Sequence, residues 1–123
     1  MTFVLLDGLF AVARLDAAAD VPPWAHRGAF TTITRTAHEL SIVCEESGVP
    51  DDVAAERGWR CLHLEGPIPF ETTGVAAAFT RALAARQISV FVVSTFDTDY
   101  VLVKAAKIEA AIEALRDAGY DVR

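Results

Sequence analysis

Hydrophobic patterning is clearest in the second half of the chain. Residues 59–64, Trp-Arg-Cys-Leu-His-Leu, place apolar side chains on both faces of an extended segment, which suits a strand buried largely on both sides. Gly66, Pro67 and Pro69 then stop it. Val75, Phe79 and Leu83 recur at helical spacing, so a helix is expected to about Arg86, with Thr72 or Thr73 placed to cap its first free N–H groups. Residues 88–93 and 100–103 are rich in β-branched and aromatic residues and too short for helices, so they read as strands joined by a hairpin loop at 94–99. A second helix is expected from about Ala105, with Ile108, Ile112 and Leu115 on one face and Gly119 as its left-handed cap. Residues 120–122 close the series as a short edge strand. The order strand, helix, strand, strand, helix, strand is the ferredoxin-like βαββαβ arrangement. Both helices then cover one face of an antiparallel sheet, and the other face, rich in Val, Leu and aromatic residues, calls for a partner.

The first half is fainter. Residues 3–6 and 9–15 read as a strand pair or one strand bent around Asp7 and Gly8. The tandem prolines in residues 21–26 allow only a turn or a short helix. Residues 30–34 and 41–45 alternate as strands about a polar connection, in which Thr36 and Glu39 have the spacing of a capping box, and residues 48–58 read as a loop with one helical turn. The element order repeats that of the second half in degenerate form, so two units are expected, 1–58 and 59–123.

Composition narrows the function. The 123 residues are 53% hydrophobic, enough to support a packed core and to exclude global disorder. Lys plus Arg number 11 against 17 Asp plus Glu, a net charge of -6 with no basic run, which argues against nucleic-acid binding. The longest uncharged stretch, 87–96, is too short to span a membrane, and the N-terminus lacks the basic start of a secretory signal. The expected location is the cytoplasm. Cys44 and Cys61 lie in apolar segments and read as buried reduced thiols. His26, His38 and His63 are scattered, the acid pairs at 45–46 and 51–52 are adjacent in sequence rather than facing, and no phosphate-binding glycine loop is present. Metal, cofactor and catalytic centre are therefore not expected.

Two segments are more specific than the periodicity: residues 34–44, Thr-Arg-Thr-Ala-His-Glu-Leu-Ser-Ile-Val-Cys, and residues 88–103, containing Ser-Thr-Phe-Asp-Thr-Asp. Together with Gly-Pro-Ile-Pro-Phe at 66–70 ahead of Thr73, Gly74 and Val75, they resemble small bacterial ACT-domain proteins and the ACT repeats of the cytosolic CASTOR-type arginine sensors. The resemblance covers nearly the whole chain. It implies an α+β fold of two tandem ACT-like units, the first abbreviated, with antiparallel sheets pairing side by side. It also implies a non-enzymatic regulatory protein that binds a small molecule, an amino acid by preference, at an interface between units. Two units in one chain and the apolar sheet surface they leave uncovered predict a homodimer. The turn into the first helix would receive a carboxylate at Thr72, Thr73, Gly74 and Val75, with Gly74 allowing close approach. Thr95, Phe96 and Asp99 would line the remainder, Asp99 facing a cationic group. The arginine sensors carry an acidic pair before the glycine, whereas here Glu71 is followed by Thr72. A module that docks on protein without a small ligand is the competing expectation.

Overall fold

A computed structural model describes the whole chain, residues 1–123. Its strands are β1 (Thr2–Leu5), β2 (Phe10–Leu15), β3 (Thr32–Arg35), β4 (Leu40–Glu45), β5 (Ala55–Leu64), β6 (Phe91–Ser94), β7 (Asp99–Lys104) and β8 (Asp121–Val122). Two α-helices, α1 (Val75–Ala84) and α2 (Ile108–Asp117), complete an α+β fold. The chain divides into two compact units, one made of residues 1–7 with 60–123 and the other of residues 8–59.

The larger unit contains the expected βαββαβ series from the end of β5 through α1, β6, β7, α2 and β8. Its strand order is β8-β1-β5-β7-β6. Strand β1 sits between the first and last strands of the series, antiparallel to β5 with Phe3 opposite Leu64, and parallel to β8 with Phe3 opposite Val122. The sequence-based division at 58/59 differs here, because it assigns β1 to the other half. Packing explains the placement: Phe3 is fully buried, meets Phe79 edge to face at 5.6 Å and lies 5.2 Å from Tyr120. The expected strand pair of residues 3–6 and 9–15 is also replaced, since β1 and β2 each pair with β5 and not with each other.

Helical periodicity locates the larger core. Phe79 and Leu83 from α1 and Ile108, Ala111 and Leu115 from α2 are buried against Leu62, Leu64, Val101 and Val103. Val75 and Ile112 pack partly buried at the margin. Gly119, one residue past the Ala118 C-cap of α2, takes a φ of 97°, as that C-terminal position requires. Helix α2 starts at Ile108 rather than Ala105, because residues Ala105–Lys107 form a single 3-10 turn. Strand β6 begins at Phe91 rather than at residue 88.

The smaller unit orders its strands β3-β4-β2-β5, all antiparallel. Where the larger unit has helices, this one has 3-10 turns at Pro23–His26 and Glu46–Gly48. Its core of Ala11, Ala13, Ala25, Leu40, Ile42, Cys44 and Val49 is dominated by small and branched residues. No helix-length apolar stripe is available in this segment, so single turns close it. Two local expectations change. Residues from Ala55 onward extend β5 instead of remaining in a loop, and Thr36 closes the β3–β4 turn by accepting the N–H groups of His38 and Glu39, both at 3.1 Å, without starting a helix.

Candidate functional site

A strap and a hairpin build the site in the larger unit. The strap, residues 66–74, leaves β5 through Gly66, whose peptide bond to Pro67 is cis, and enters α1 at Gly74. The hairpin joins β6 to β7, with Ser94 directly opposite Asp99 in register. That pairing brings the Ser94 hydroxyl to the Asp99 carboxylate, Oγ to Oδ1, at 2.6 Å. The Thr95 N–H donates to the Thr98 carbonyl at 2.8 Å, and the Thr95 hydroxyl accepts the Thr98 N–H at 3.3 Å. This leaves Phe96 and Asp97 at the tip.

Strap and hairpin are fastened to one another. Ile68 N–H donates to the Asp97 carbonyl at 2.7 Å. Thr98, the one buried polar side chain of the chain, donates its hydroxyl to the Leu64 carbonyl. A Cβ on Gly66 would stand 2.8 Å from the Asp97 carbonyl oxygen, so only glycine permits the approach.

Between them lies a cleft of about 350 Å³. Six of the candidate residues, Thr72, Gly74, Val75, Thr95, Phe96 and Asp99, line it. Thr73 does not. Ile68, Pro69, Phe70, Ala76, Ala77, Ser94, Asp97 and Thr98, none of them among the candidates, share the lining. Phe70 closes the quoted 66–70 motif, and Ser94 precedes the hairpin whose far end is Asp99, so both carried a readable signal.

The start of α1 is not capped as expected. Gly74, rather than Thr72 or Thr73, occupies the N-cap position, and no side chain accepts a hydrogen bond there. Gly74 has φ 81°, and a Cβ would meet nothing within 4 Å. Its backbone conformation, not crowding against a helix, therefore selects glycine. The carbonyl of Gly74 accepts the N–H of Ala78 at 3.0 Å, so the earlier N–H groups of Val75, Ala76 and Ala77 have no intrahelical partner. Their side of the cleft bears the positive end of the helix dipole.

Charge on the cleft walls has one sign. Asp97 and Asp99 are the ionisable lining residues, and no Lys, Arg or His takes part. Phe70 and Phe96 are 71% and 80% exposed, yet their rings meet edge to face, 4.9 Å apart at 80°. On the other side of the hairpin, His63 stacks on Tyr100 at 4.6 Å beside Asp97. Burial raises the Tyr100 hydroxyl above its ordinary pKa, with Cys61 and then Asp97 adding to the effect.

Both cysteines are free and buried. Burial pushes the Cys61 thiol up to about 12, and burial followed by the neighbouring Glu45 charge raises that of Cys44. Neither is a thiolate nucleophile at neutral pH. No group of three or more His, Cys, Asp or Glu is placed to hold a metal ion, and no helix is long and apolar enough to cross a membrane.

Comparison with known proteins identifies the family and the fold. The ACT domain family model matches residues 54–117, and a second model, of an N-terminal domain, matches residues 8–52. The chain is 39% identical to an Agobacterium tumefaciens protein of solved crystal structure, with a TM-score of 0.94 over 99% of this chain and 91% of that one. The regulatory subunit of aspartate kinase from Thermus thermophilus has the same fold, with a TM-score of 0.63 and 15% identity over 95% of this chain and 96% of that one. Human cytosolic arginine sensor for mTORC1 subunit 1 is 37% identical over 59 residues, covering 47% of this chain and 18% of the human protein. With the family model spanning just over half its length, the chain belongs to the ACT-domain family.

Proposed function

We propose that this protein is a non-enzymatic regulatory module of the cytoplasm that binds an amino acid in the strap–hairpin cleft, at an interface between ACT units of a homodimer. The observation that carries the reading is the convergence of complementary ends in one cleft. Free N–H groups at the start of α1 suit an α-carboxylate, and the Ser94-oriented carboxylate of Asp99 suits an α-ammonium. The cleft volume of about 350 Å³ falls within the range of small-molecule sites. The names of two similar proteins, an arginine sensor and a regulatory subunit, support a sensing role. Occupancy would act by favouring one packing of the units over another, since a ligand shifts an equilibrium only through its differential affinity for the two states.

Calorimetric titration of the folded protein with each of the twenty amino acids tests the reading. Saturable heat with at least one, lost in Asp99→Asn, is expected; no heat with any removes the proposal. Sedimentation is expected to give a dimer at micromolar concentration, and a monomer there would remove the homodimer.

A docking module without a small ligand is the second reading. The exposed Phe70 and Phe96 favour it, because apolar surface of this kind also marks protein contacts. It predicts binding of a protein partner that substitution of Asp99 leaves unaffected.

A further inference from the structure

We propose that Phe70 and Phe96 are the specificity walls of the cleft, and that its ligand is an amino acid with a neutral, apolar side chain rather than a cationic one. This rests on the amino-acid reading above and goes on to name the ligand class. Charge matching inside a defined volume selects the ligand class. A zwitterionic amino acid brings one negative and one positive group, and the cleft offers one partner for each: the N–H groups at Val75 to Ala77, and Asp99. A cationic side chain would bring a second positive charge and need a second carboxylate.

Asp97 is the sole remaining acid on the walls, but it is shared with the opposite side of the hairpin. There it lines a second pocket with His63 and Tyr100, near enough for its charge to add to the raised pKa of the Tyr100 hydroxyl. Position 72, on the strap, is threonine and supplies no acid. What remains for the ligand side chain is the aromatic pair.

Phe70 comes from the strap and Phe96 from the hairpin, so the two rings reach the cleft from its two sides. Large apolar side chains left this exposed lose the benefit of burial, and an apolar ligand group laid against them would recover part of it. A guanidinium or ammonium could also lie over a ring face, but that contact is weak where water reaches the ring, and it gives no compensation for the missing carboxylate.

The test measures affinities of the full chain for leucine, phenylalanine, arginine and lysine by calorimetry, in wild type, Phe70→Ala and Phe96→Ala. Both aromatic residues are largely exposed, so both variants are expected to keep the wild-type circular dichroism spectrum. Leucine or phenylalanine is expected to bind at least about tenfold more tightly than arginine or lysine, the scale on which an apolar contact discriminates. Each variant is expected to erase most of that preference while leaving weak binding through the α-groups. Arginine or lysine binding as tightly as the apolar ligands, or selectivity unchanged in both variants, overturns this inference and leaves the amino-acid site standing. Absence of binding by all four also overturns this inference, and absence of heat throughout the twenty-amino-acid titration overturns the site itself.

Discussion

Gly66 and Gly74 bound the same strap but answer to different constraints. At Gly66 the constraint is space, since a Cβ would press against a backbone carbonyl at 2.8 Å that cannot swing aside like the end of a flexible side chain. At Gly74 the constraint is conformation, with φ at 81° and open space where the Cβ would go. Gly74→Ala should therefore cost about 1–2 kcal/mol, the ordinary penalty of a left-handed L-residue. Gly66→Ala should cost more, because strap and hairpin must part to admit it. Urea unfolding of the two variants checks the order, and equal midpoints would show that the Gly66 contact relaxes freely. In the sequence Gly74 reads only as a point of close approach ahead of a helix. Its left-handed φ is not legible there, because φ depends on how the strap enters the helix. The expected Thr72 and Thr73 cap fails for the same reason: a left-handed residue at the N-cap turns the preceding threonines away from the first N–H groups.

At the scale of elements, the hairpin and strap act as one assembly through Thr98. Its hydroxyl satisfies the Leu64 carbonyl at the end of β5, and the neighbouring Asp97 carbonyl receives Ile68. Thr98→Val keeps the shape and removes the donor. Leaving a buried carbonyl unpaired costs about 1–3 kcal/mol, so a loss of that size is expected, with faster hydrogen exchange at the Ile68 amide. Thr98→Ser should retain most of the stability. A wild-type exchange rate at Ile68 in Thr98→Val would contradict the coupling. None of this tie is visible in the sequence, where residues 94–99 read as a polar hairpin and residues 66–70 as a strand stop. The elements themselves are legible where apolar spacing is long enough to fix a period, as in the run Val75, Phe79, Leu83. The site is legible in part, because short polar motifs at both ends of the cleft are distinctive. Their mutual contact depends on register, which places Ser94 opposite Asp99 and which no local pattern specifies.

For the whole molecule, two properties follow from what the larger unit buries. The first is alkaline sensitivity. The Cys61 thiol has an ordinary pKa of 9.0 and is pushed up to about 12 by burial, and the Tyr100 and Tyr120 hydroxyls are also raised, first of all by burial. In each case the unfolded chain gives up its proton at lower pH than the folded one. The corresponding stability is fully present below the unfolded pKa and is lost as pH rises toward the folded one, so for Cys61 it falls between pH 9.0 and about 12. Denaturant midpoints should drop across that window, and less steeply in Cys61→Ala, whose lower stability at neutral pH serves as its own baseline. The second property concerns connectivity. Residues 60–123 hold the complete βαββαβ series, yet the fully buried Phe3 and the ladders on both sides of β1 come from the other end of the sequence. A four-residue strand such as Thr2–Leu5 shows by its pattern that it is apolar, but not which strands will flank it. If β1 completes the larger unit, a chain of residues 60–123 alone should lack a cooperative thermal transition, because β8 has no neighbour and Phe79 and Tyr120 lose the Phe3 ring. Appending residues 1–7 to its C-terminus through a flexible linker should restore the transition, since that supplies the missing strand without residues 8–59. A cooperative transition in residues 60–123 before the addition would instead show that the series closes without β1, and that the N-terminal strand only reinforces a sheet able to form on its own.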